Sequence, residues 1–121
     1  MIDKESAEHY IWGDHCDGWY LLKQQDLLII HEKMPAHTAE QRHYHHRARQ
    51  FFFVLSGQLT MVLQDKVHCL HPQQGIEIPP LSPHQACNRS DMAVEFLVIS
   101  QPSTQGDREN IDTDDEIKAK A

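Results

Sequence analysis

No stretch of this chain approaches the roughly 20 consecutive apolar residues that cross a bilayer, and residues 1–7 lack the basic start and apolar run of a secretory signal. A membrane protein is therefore not expected, and a cytoplasmic address is. Cysteine is scarce. Cys16, Cys69 and Cys87 are odd in number and have no paired spacing, which argues against a disulfide framework and for reduced, packed thiols. Positive charge is short as well: eleven Lys and Arg stand against eighteen Asp and Glu, for a formal charge of −7. Nucleic acid and anionic membrane both require a broad basic face, so neither is expected as a partner. Arg42, Arg47 and Arg49 form a local basic group, readable as a solvated turn or as an anion contact. No internal repeat is evident at periods of 20 to 50 residues.

What the chain does have is ordinary globular usage, 40% hydrophobic and 24% charged over 121 residues, enough for one domain with one core. From residue 19 onward, short apolar segments alternate with turn chemistry, the pattern of an all-β domain. Strands are expected near 19–23, 27–34, 51–55, 58–63, 67–70, 76–78, 85–88 and 94–100. Ser56-Gly57 and Gln64-Asp65-Lys66 supply turns, and Pro79-Pro80 stops a strand by removing two amide donors. The segment from Phe51 to Leu55 is apolar on both parities, so both of its faces need cover, in the interior of a double sheet or at a subunit interface. Residues 1–18 read as a leader with weak helical spacing at Ala7, Tyr10 and Ile11, and residues 19–104 as the barrel. Residues 105–121 read as an acidic tail, mobile from about 109, with at most a short helix over 115–121.

The unusual count is ten histidines. His43 and His45 are two apart, which on a strand puts both rings on one face, about 6.6 Å apart. His84 follows the rigid run Pro79-Pro80-Leu81-Ser82-Pro83, which can deliver a third imidazole at low entropic cost. Imidazole suits iron, nickel and zinc alike. His46 has the opposite parity and reads as a surface or interface residue. Tyr44, Phe51, Phe52 and Phe53 read as core or interface, with Phe52, which shares the parity of Gln50, also a candidate pocket wall. Glu77 lies between Ile76 and Ile78, Glu95 between Val94 and Phe96, and Tyr44 between the two histidines, so all three face away from the interior, and no acid or base is evident inside.

The order His43-x-His45, Gln50, Gly57, then Gly75, Pro79, His84 and Asn88 resembles the two sequence motifs of the cupin superfamily, over about residues 37 to 88. That resemblance implies a double-stranded β-helix, or jelly-roll barrel, with His43, His45 and His84 as inward ligands of a divalent metal (Fe, Ni, Mn or Zn). It also implies a small-molecule ligand and a homodimer, and it makes Asn88 a structural residue. The family's acidic ligand is Gln50 in this chain, either a weak fourth ligand or a donor behind the first three. The family's Gly after the prolines is Leu81, implying a turn that does not need positive φ, with a bulky side chain beside the site. Residues 42–57 are more loosely similar to the C-terminal cupin module of bacterial mannose-6-phosphate isomerase/guanylyltransferase proteins. The expected function is a metal-binding cupin acting on a small organic molecule, by dioxygenase-like or sugar-phosphate isomerase-like chemistry; the alternative is a non-catalytic binding module. A purely structural barrel is the third reading.

Overall fold

A computed structural model describes residues 1–111 as strands and turns, with no helix among them. Twelve strands follow in order: β1 (Glu8–Trp12), β2 (Cys16–Lys23), β3 (Leu28–Met34), β4 (Thr38–Ala39), β5 (His43–His45), β6 (Arg49–Ser56), β7 (Leu59–Leu63), β8 (Lys66–Leu70), β9 (Gly75–Ile78), β10 (His84–Asn88), β11 (Val94–Gln101) and β12 (Arg108–Asn110). One sheet runs β1-β2-β3-β11-β6-β9; the other runs β12-β5-β10-β7-β8, with β4 also on β10. Every strand pair is antiparallel. The all-β jelly-roll expectation holds.

Period-two alternation explains where the core lies. On β11, Val94, Phe96, Val98 and Ser100 are buried and the residues between them are less so. On β6 the buried set is Gln50, Phe52 and Val54. The apolar members, Phe52, Val54, Val94, Phe96 and Val98, meet Met34, Leu59, Met61 and Ile78 in one apolar cluster between the sheets, where each large side chain contributes roughly 1.5–3 kcal/mol by leaving water. Gln50 and Ser100 are cross-strand partners, so both interior rows turn from apolar to polar at the same end of the barrel. The apolar end carries the stability, and the polar end is left for chemistry.

The strands run past both boundaries expected from the sequence. Residues 8–12, given only weak helical spacing, form β1 and pair fully with β2. Tyr10 lies so close over Gly18 that a Cβ there would sit 2.2 Å from its ring. At the other end β12 pairs with β5, and the Ile111 N–H donates to the Arg42 carbonyl at 2.8 Å. Order therefore continues beyond residue 109, where mobility was expected, because a short strand needs only an open edge, and β5 offers one. The helix expected over 115–121 lies outside the described residues.

Three smaller expectations change. Leu81 has φ 66°, the left-handed region, where a β- or αR-compatible turn was expected. Its N–H donates to the His45 carbonyl at 2.7 Å, which holds the strained turn against β5, and its side chain is 60% exposed rather than set beside the site. A left-handed non-glycine residue costs about 1–2 kcal/mol, part of which glycine gives back in unfolded-state entropy. Leu81→Gly is thus expected to stabilise the protein by about 0.5–1 kcal/mol in chemical denaturation. Cys69 is exposed, touching Gln58 Nε2, whereas Cys16 and Cys87 are packed thiols as expected; all three are free. On the outer face, Phe51 is 41% exposed and stacks with Phe53, which leaves uncovered the second apolar face of β6, where the expected homodimer contact would form.

Candidate metal centre and acid/base cavity

His43 and His84 are direct cross-strand partners on β5 and β10, and directly opposite residues share a face. His45, two residues along, shares it too. Ring centroids lie 4.9 Å apart for His43–His45, 4.4 Å for His43–His84 and 5.6 Å for His45–His84. One potential ligand atom from each lies within 4.8 Å of the other two, an arrangement that could hold a metal ion. All three side chains are buried.

The backbone fixes which nitrogen is available. Nδ1 of His43 is 2.8 Å from the Gln41 carbonyl, Nδ1 of His45 is 2.9 Å from that of Asp107, and Nδ1 of His84 is 2.9 Å from that of Ser82. A carbonyl only accepts, so each Nδ1 carries the hydrogen and each neutral ring keeps its lone pair on Nε2. The Nε2 atoms of His45 and His84 and the Oε1 of Gln50 are buried without a hydrogen-bond partner among the described residues. Gln50 donates its Nε2 to Ser100 Oγ at 3.2 Å, which leaves its oxygen as the acceptor. Buried acceptors left bare are costly, and one cation would satisfy them together. The residues present therefore fit a divalent ion.

Protonation would oppose that fit, and the site suppresses it. Burial, then the neighbouring His84 and Arg108, brings His43 down to about 3. Burial brings His84 down to about 4 against its hydrogen bond to Ser82, and it lowers His45 against the bond to Asp107. All three rings are neutral near pH 7, the ligand form.

Asp107 is the clasp of this arrangement. Its carboxylate accepts the N–H groups of His46, Arg47 and Ala48, each at 3.0 Å, while its carbonyl orients His45. Burial would raise the Asp107 carboxyl, but the three N–H donors outweigh it and hold it below the usual carboxylate range. The sequence placed Asp107 in a solvated acidic tail. It is buried because the turn after β5 has three amide donors and no strand partner for them.

Next to the imidazoles lies a cavity of about 170 Å³, whose walls include Tyr10, Glu32, Glu40, Gln50 and Arg108 along with His43 and His45. No acid or base was expected inside the barrel; the structure puts two carboxyls there. Burial, then the Glu40 charge, raises Glu32 to about 8, against Arg108. Burial raises Glu40 to about 7, against the Ala86 N–H that donates to its Oε2 at 2.8 Å. Its other oxygen is 3.9 Å from His43 Nδ1. Glu32 makes no hydrogen bond or ion pair with any described residue. Burial and the Glu32 charge push the Tyr10 phenol well up, so it stays a neutral donor. A signal for Glu32 was present: it shares the parity of Leu28, Ile30 and Met34, all buried. No comparable signal marked Glu40, in the connection between β4 and β5.

The outward assignments of Glu77 and Glu95 hold. Glu77 pairs with Arg49, and Glu95 with Lys4 and His31, on the outer surface. His46 is exposed, as expected. Asn88 is structural: its Nδ2 donates to the carbonyls of Met34, Pro35 and Met92, and its Oδ1 accepts from Ser90. Phe52 is core rather than cavity wall, its ring 6.2 Å from His84 and 5.9 Å from Phe96.

A family model described as "Cupin domain" matches residues 18–100. A search of curated proteins gives no match. Among solved structures, a cupin-superfamily sugar phosphate isomerase from Silicibacter pomeroyi superposes with TM-score 0.76 at 20% identity, covering 94% of this chain and 93% of that one. KdgF from Halomonas sp. gives TM-score 0.80 at 15% identity, covering 88% and 97%. The polyketide cyclase RemF from Streptomyces resistomycificus gives 0.77 at 16%, covering 100% and 92%. At these identities the likeness is one of fold.

Proposed function

The chain belongs to the cupin family, and we propose that it is a metal-dependent enzyme transferring protons within a small oxygenated substrate, an isomerase-like rather than an oxygenase-like reaction. The observation that carries this reading is that Glu32 and Glu40 line the same cavity as His43 and His45. Oxygen activation at a metal needs no such pair; moving a proton between carbon and oxygen does. His43, His45 and His84 are the ligands in this reading, with Gln50 Oε1 as the fourth donor, for iron, nickel, manganese or zinc. When bound, the ion would supply Lewis-acid polarisation of a substrate carbonyl or hydroxyl oxygen.

The chain's own groups do the rest. In the metal-free protein the carboxyl pair titrates together near neutrality. Glu40, the more acidic member and fixed by the Ala86 N–H, is the base that takes a proton from the carbon beside the carbonyl. Glu32 keeps its proton at pH 7 and delivers it to oxygen. Tyr10 donates a hydrogen bond without ionising. The test is solvent exchange: metal-loaded protein is incubated in D2O with small hydroxy-aldehydes and keto acids and followed by NMR. Deuterium at the carbon beside the carbonyl is expected; a fully loaded protein that exchanges none of them would overturn the catalytic reading in favour of a non-catalytic binding module.

A further inference from the structure

Arg108 belongs neither to the ligand set nor to the acid/base pair, and its placement is unusual for a metal-binding cavity. It is the direct cross-strand partner of His45, so it shares the inward face with that ligand, and it lines the cavity. Its charge has the same sign as the ion the site fits, so it works against binding that ion. The residue is exposed rather than enclosed, and the carboxyls that feel its charge are Glu32 and Glu40 in the same cavity. Here Nε donates to Asn110 Oδ1 at 2.8 Å and Nη2 to the Gln41 carbonyl at 3.4 Å, both neutral oxygens. Those two contacts hold the guanidinium in place and leave Nη1 with no partner among the described residues. Gln50, on β6 of the other sheet, also lines the cavity, and as a neutral amide it cannot offset the charge of an ion. A divalent ion and Arg108 together outweigh the single negative charge of an ionised Glu40 beside a protonated Glu32, so the loaded cavity keeps a surplus of positive charge.

We propose that Arg108 is the specificity residue for the carboxylate of a small hydroxy or keto acid, bound between its guanidinium and the three-histidine centre. This rests on the metal reading and names the substrate class for it. A carboxylate fits better than a phosphate: among the described residues Arg108 is the only Lys or Arg in the cavity wall, its planar fork matches a carboxylate's two oxygens, and phosphate is usually met by several donors. The cavity, at about 170 Å³, holds the volume of about five or six waters at roughly 30 Å³ each, which admits a short-chain acid.

The test uses three probes of similar size: L-malate, its neutral diamide malamide, and glycerol 3-phosphate. Each is titrated into metal-loaded protein with the fluorescence of Trp12, a cavity residue, as readout, and metal content is measured on the same samples. Malate is expected to bind at least about tenfold more tightly than malamide, the worth of one charge-assisted pair. Arg108→Gln should remove that preference while leaving malamide binding, metal content and melting temperature unchanged, and Arg108→Lys should keep part of it. Equal affinity for malate and malamide in metal-loaded protein overturns the inference alone, as does tighter binding of the phosphate. Loss of metal or folding in Arg108→Gln makes the residue structural and also overturns it. Absence of metal from the parent protein refutes the metal reading and this inference with it.

Discussion

Glu32→Gln is expected to lower kcat by about 10²–10⁴-fold, the usual worth of a positioned acid or base, with KM nearly unchanged because the amide keeps the size and polarity of the carboxyl. The rate against pH should also change shape. In the parent, Glu40 gives the acid limb and Glu32 the alkaline limb; burial raises both carboxyls in the metal-free protein, to about 7 and about 8, and the bound cation brings both limbs to lower pH. In the variant the alkaline limb disappears.

The same substitution has an opposite effect on stability. In the metal-free protein Glu32 holds its proton up to about pH 8, whereas the unfolded carboxyl releases it near about 4.3. Between those values the folded state binds more protons, so stability falls as pH rises through the window. Glutamine carries no such loss. Metal-free Glu32→Gln should therefore equal the parent in stability at about pH 4 and exceed it at about pH 9 by at least about 1 kcal/mol. That figure is kept small because the side chain is only half-buried and water screens part of the effect. A gain in stability paired with a loss of rate is the signature of a residue kept for chemistry.

Asp107→Ala should cost about 2–4 kcal/mol, since three backbone N–H groups lose a charged acceptor in a partly buried turn. It should also weaken metal binding by about 10–100-fold, the typical effect of removing a group that orients a histidine ligand. Urea denaturation reads the first effect and a competitive metal titration the second. Asp107→Asn keeps one acceptor oxygen and should fall between. If metal affinity were untouched while stability dropped, the clasp would support the turn without positioning His45.

The parts of the molecule readable in sequence were those governed by local periodicity. Short apolar segments separated by turn residues pointed to the strands, and the two-residue spacing of His43 and His45, with the proline run before His84, pointed to the imidazole cluster. What was missed depended on pairing across the chain. β1 looks weakly helical by itself and is a strand because β2 accepts it along its whole length. Residues 105–111 look like a solvated acidic tail, yet they supply Asp107 and Arg108 because the edge of β5 and the amides of the next turn were open to them. Glu32 was legible by parity alone; an acidic residue in a row with Ile30 and Met34 is either a folding error or a functional group. Leu81 went the other way. Its identity argued for a relaxed turn, and the hydrogen bond to His45 imposes a strained one.

Metal content tests the three-histidine centre most directly. Elemental analysis of untagged protein purified without chelator is expected to give close to one equivalent of iron, nickel, manganese or zinc, and none in the His43→Ala/His84→Ala double variant, with the variant still folded by circular dichroism. A parent protein free of metal after incubation with each of these ions, or a double variant that retains the parent's metal, would contradict it.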